Sequence, residues 1–247
     1  MAKKAGKKSS KISTQGVSDG ALIVMEGDSW ERLPDWGLKK LPIVGGSNYD
    51  LERALTALGH DVRNLAYWGD TIEDIAGRLD FIGALKKTGA SHLILGGGGN
   101  DLLSEGKLVK HLMLYLDDRK PEDYLKPSFD EVLNRVMKFY EICFDALDIH
   151  KLKPKVIVHG YDYAKPMNLG WLGEPMSFMG IDDPDLQQSI AKVMMNRFNK
   201  ALKGLAKGRK RVTYVNLRGT VQNDWHDELH PNRKGFERVA HKIHAAL

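Results

Sequence analysis

Residues 21–29 read ALIVMEGDS, a short unbroken apolar run that ends in Gly27-Asp28-Ser29. An apolar run without alternation suits a strand covered on both faces, as in a parallel sheet. Four more runs of this kind follow: VRNLAYWG at 62–69, SHLILGGGGND at 91–101, KVIVHGYDY at 155–163 and RVTYVNLRG at 211–219. Stretches of helical periodicity separate them, over Asn48–Leu58, Thr71–Lys87, Phe129–Leu147 and Leu186–Leu205, and a closing helix is expected over Arg233–Leu247. Within Thr71–Lys87, residues Ile72, Ile75, Ala76, Leu79, Ile82 and Leu85 share one face. Strands alternating with helices predict an α/β fold, a five-stranded parallel sheet with helices on both faces, as one domain over 21–247. In open sheets of this type ligands bind beyond the carboxyl ends of the strands. The polar groups fall there: Asp28-Ser29, Gly69-Asp70, Gly96–Asp101, Tyr161–Tyr163 and, after the fifth strand, Trp225–Asn232.

Composition excludes several function classes. The net charge is +5, but Lys3, Lys4, Lys7, Lys8 and Lys11 account for it, and the rest of the chain holds 32 basic and 32 acidic residues. Residues 1–20 are therefore expected to be a disordered basic tail, capable of weak contact with an anionic surface. No specific nucleic-acid partner follows from it. No apolar stretch marks a secretory leader or a membrane span. The single cysteine, Cys143, excludes an internal disulfide and fits a reducing cytoplasm.

The segment WHDELHPN at 225–232 has two parsings. His226 and His230 stand four apart, a spacing that clamps zinc when both lie on one helix face. Pro231 weakens that reading, because proline disfavours helix for the residue before it, and no third ligand is evident. Alternatively Asp227 orients His230 as a base, holding Nδ1–H so that Nε2 faces a nucleophile. Ser29, on a strand-to-helix turn after Gly27, is the candidate nucleophile. Its own amide, the Gly69 amide and the Asn100 side chain are candidate donors to a developing oxyanion.

GDS at 27–29, NLAYWG at 64–69, GGND at 98–101 and DELHP at 227–231, in that order, resemble the four sequence blocks of the SGNH hydrolases, the GDSL esterase and lipase superfamily. The resemblance covers roughly residues 21–247. It implies a three-layer α/β/α sandwich of flavodoxin-like type. It also implies a Ser29–His230–Asp227 triad, an oxyanion hole from Ser29, Gly69 and Asn100, and no metal or cofactor. The first block departs by placing Trp30 after the serine. Trp30, Asp70, Tyr161, Tyr163 and Trp171 are candidates for substrate contact, with Trp30 either packed under the nucleophile or narrowing the pocket. Asp28 is expected to brace the nucleophile turn, Asp101 to accept a turn or cap hydrogen bond, and His226 to lie on a rim. The long connections Leu102–Ser128 and Ala164–Pro184 are candidate lids. The second is rich in apolar residues, suited to a satellite core or to a wall for an apolar group. The expected activity is hydrolysis of a small-molecule carboxylic ester. Carbohydrate O-deacetylation and acyl transfer are alternative uses of the same site, and an inactive binding scaffold is the alternative from another class.

Overall fold

The computed structural model describes residues 20–33, 49–103 and 106–247. Apart from Gly20, the lysine-rich segment lies outside the described residues. Five strands form one all-parallel sheet in the order β2-β1-β3-β4-β5: β1 Leu22–Glu26, β2 Asp61–Asn64, β3 His92–Leu95, β4 Lys155–His159 and β5 Val212–Val215. This is the flavodoxin-like order expected. Residues 23–26 of β1 and all four of β3 are buried, which is why both read as continuous apolar runs, whereas the edge strands β2 and β5 are partly exposed. Register aligns the carboxyl ends: Met25 faces both Asn64 and Ile94, and Glu26 faces Leu95.

Nine α-helices occur among the described residues. Helices α1 (Leu51–Ala57) and α9 (Arg233–His244) pack together. Helix α6 (Pro127–Ile149) packs against α2 (Ile72–Arg78) and against α8 (Pro184–Lys207). The two groups make the outer layers of the sandwich. None of the helices among the described residues is long and apolar enough to cross a membrane.

The single helix expected over Thr71–Lys87 is two, α2 and α3 (Asp80–Thr88), broken at Leu79, whose φ is 53°. The break has a packing reason. Phe81 would point away from the shared apolar face of a continuous helix, and restarting the helix at Asp80 lets Phe81 join Ile82 and Leu85 in the core, fully buried. Burying a Phe side chain is worth roughly 1.5–3 kcal/mol, which offsets the ~1–2 kcal/mol cost of one left-handed residue.

Both long connections carry structure. The first holds α5 (Leu108–His111) and a 3-10 helix at Pro121–Tyr124, with α4 (Gly99–Leu103) before it. The second holds α7 (Gly173–Phe178). Its apolar residues divide: Leu172, Met176 and Met179 enter the core, while Met167, Leu169 and Phe178 are exposed. The two connections touch through the Tyr115 amide, which donates to the Met179 carbonyl at 2.8 Å.

Candidate active site

The turn that carries Ser29 is built by local hydrogen bonds. The Asp28 carbonyl accepts from the Glu31 and Arg32 amides (3.2 and 3.1 Å), and Asp28 Oδ1 accepts from the Trp30 amide at 3.0 Å. Asp28 thus braces the turn as expected. Glu31, which the sequence did not single out, folds back beneath it. Its Oε2 accepts the Asp28 amide at 2.9 Å and its Oε1 lies 2.7 Å from His159 Nε2. The latter is an ion-pair contact, with the ring N–H lying off the N···O line. Gly27 is required by this carboxylate rather than by a special backbone angle: a Cβ there would lie 2.2 Å from Glu31 Oε2, and one at Gly96 2.3 Å from Oε1. Burial alone would lower the His159 pKa, but the Glu31 charge beside Nε2 and the Gly160 carbonyl at Nδ1 raise it above its ordinary value.

Tyr161 locks the turn from the β4 side. Its hydroxyl donates to Asp28 Oδ2 at 2.5 Å and accepts from the Gly99 amide at 3.0 Å, so one phenol ties the ends of β1, β3 and β4 together. Burial and the nearby Glu31 charge push Asp28 up to about 7.

His230 reaches this turn from the opposite end of the chain. A bridge between Trp225 and Pro231 closes the loop, and the His226 amide donates to the His230 carbonyl at 2.8 Å. Asp227 Oδ1 accepts the amides of Leu229 and His230 (2.8 and 2.7 Å), while its two oxygens lie 3.0 and 2.9 Å from His230 Nδ1. His230 Nε2 lies 2.8 Å from Ser29 Oγ. All three side chains are buried. Burial would raise the Asp227 carboxyl, but the hydrogen bond and charge of His230, with two backbone amides, hold it below the ordinary value. The loop is pinned to the turn by Trp30, whose indole Nε1–H donates to the Leu229 carbonyl at 3.0 Å. Both ring nitrogens of His230 are therefore engaged, so the two-histidine clamp does not describe this segment. Among the described residues, no group of three or more His, Cys, Asp or Glu stands close enough to hold a metal ion. The last helix is capped by Asn232, whose side chain accepts the Gly235 amide.

On the β2 and β3 side, Gly69 adopts φ +85° in the turn after β2, and its amide has no acceptor among the described residues. Asn100 Nδ2 donates to the Asp70 carbonyl at 2.9 Å, which ties the Asn100 amide to the Gly69 turn and leaves one N–H of that amide free of this bond. Asp101 Oδ2 accepts the Ile72 amide at 2.9 Å, the cap role expected of it. Ser29, Asn100 and His230 line one pocket together with Trp30, Tyr161 and Leu172; Gly69 is not part of its lining.

The other candidates sort plainly. Trp30 lines the pocket, yet it is buried among Tyr161, Trp225 and Phe236 and works mainly as a strut. Asp70 is turned to Arg78 and lies outside the pocket lining. Tyr163 points away, donating to Asn196 Oδ1 at 3.0 Å. Trp171 stands edge-on to the His230 ring, 6.1 Å between centroids. His226 does not take part in the Ser29–His230–Asp227 chain. Glu228, also missed, accepts the Met167, Leu172 and Gly173 amides at 2.8, 2.9 and 2.8 Å and so anchors the second long connection.

A family model of GDSL-like lipases and acylhydrolases matches residues 45–243. The chain belongs to that family. The match begins beyond Ser29, so the Gly27–Ser29 block stands outside it. No curated protein matches the chain. Among solved structures, it is similar to an extracellular lipase from Streptomyces rimosus (14% identity, 92% of this chain and 100% of that one, TM-score 0.59). It is similar also to a lipase from a goat rumen metagenome (16%, 92% and 97%, TM-score 0.56). A carbohydrate esterase of family 3 from Talaromyces cellulolyticus is a further likeness (16%, 91% and 95%, TM-score 0.53). At these identities the likeness is one of fold.

Proposed function

We propose that this acylhydrolase is a serine esterase acting through an acyl-enzyme. The observation that carries the reading is the continuous contact from the Asp227 carboxylate through His230 to Ser29 Oγ. Ser29 Oγ attacks the ester carbonyl while His230 Nε2 takes its proton. The imidazolium that forms is stabilised by Asp227 and returns the proton to the leaving alcohol. Water then enters, loses a proton to His230 and attacks the acyl-enzyme, which releases the acid and restores Ser29.

The negative oxygen of each tetrahedral intermediate is assigned to the Ser29 amide, the Asn100 side chain and the Gly69 amide. Each such donor is typically worth about 2.7–4 kcal/mol. The Asp70 carbonyl supports this by fixing the Asn100 amide. Ser29→Ala should lower kcat on p-nitrophenyl acetate by about 10⁴–10⁶ with Tm unchanged. Hydrolysis at the wild-type rate would remove Ser29 from the reaction.

A further inference from the structure

The pocket beside Ser29 is small. Its volume is about 40 Å³, enough for a few water-sized groups and suited to a short acyl group. An acetyl group has three heavy atoms and a propionyl four; a butyryl already has five. The far walls are Leu103, Ala164, Leu172 and Met195, all buried side chains. Leu103 is on α4 and Met195 on α8, both held in the core. Asn199, one turn beyond Met195, donates to the Tyr161 and Met195 carbonyls at 3.0 and 2.8 Å and fixes α8 against the pocket.

An apolar pocket backed by buried side chains suits the acyl part of an ester. The alcohol must leave after the first step and water must take its place, so the leaving side has to be open, whereas the acyl part stays through both steps. Resting on the esterase reading above, we infer that this site is selective for esters of two- and three-carbon acyl groups, with Met195 and Leu103 setting the length limit.

The test is a panel of p-nitrophenyl acetate, propionate, butyrate and octanoate on the wild-type protein, with Met195→Ala and Leu103→Ala beside it. The expected result is a fall of kcat/KM of at least about tenfold from propionate to butyrate, and no measurable octanoate turnover. In either variant the butyrate-to-acetate ratio should rise about tenfold. Octanoate turned over as well as acetate, with both activities lost in Ser29→Ala, would overturn the length limit and leave the esterase standing. Hydrolysis of no ester, together with failure of a small fluorophosphonate to label Ser29, would overturn the esterase reading and this inference with it. The wild-type panel decides the matter even if neither variant folds.

Discussion

Glu31→Gln isolates the buried pair beneath the nucleophile turn. The Glu31 and His159 side chains are 0% and 1% exposed and stand 2.7 Å apart. Glutamine keeps an acceptor for the Asp28 amide but removes the charge that raises the His159 pKa. Removing one member of a buried ion pair costs about 3–5 kcal/mol. The low end, ~3 kcal/mol, applies here, because glutamine fills the same space and the imidazole can shed its proton. That is within the 5–15 kcal/mol of an ordinary domain, so the variant should fold.

The cost should also depend on pH. His159 has a folded pKa raised above 6.5, so its contribution is fully present below 6.5 and is lost as pH rises through the folded value. Urea unfolding at pH 6 and pH 9 should therefore show wild type ahead by about 3 kcal/mol at the lower pH and by much less at the higher. A difference below ~1 kcal/mol at pH 6, or one that does not change with pH, would refute the assignment of a charged pair.

Other substitutions probe separate links. Asp227→Asn keeps the shape but spoils the orientation of His230, and kcat should fall by about 10⁴; a kcat near wild type would detach Asp227 from the base. Glu228→Ala leaves three amides without their acceptor, and the two that are buried, those of Leu172 and Gly173, cost about 1–3 kcal/mol each. It should lower Tm sharply and expose Ala164–Pro184 to protease, and unchanged proteolysis would contradict the anchor. Lys151 is exposed and left-handed (φ 56°) just past the end of α6. Lys151→Gly should stabilise the protein by about 1 kcal/mol in urea unfolding, and a loss of stability would show that its side chain matters.

What the sequence disclosed follows from the physics of each feature. Strands buried on both faces write themselves as apolar runs, so β1 and β3 were plain. Pro231 separated the triad parsing of 225–232 from the zinc parsing. The break at Leu79 was hidden because the residues on both sides keep an apolar period, and only the burial of Phe81 shows that the face has turned. Glu31 and His159 lie more than a hundred residues apart and meet only in the fold; the signal in retrospect is the pair of glycines, Gly27 and Gly96, that make room for one carboxylate. Glu228 was masked because its partners are backbone amides, which have no sequence signature. Tyr161 was placed at the right edge, but its hydroxyl is committed to Asp28 and Gly99.

The most direct measurement is mass spectrometry of the protein after reaction with a small fluorescent phosphonate. One adduct is expected, on the Ser29 peptide, formed at a rate that collapses in His230→Ala. An adduct on another residue, or labelling of Ser29 at the same rate without His230, would contradict the triad.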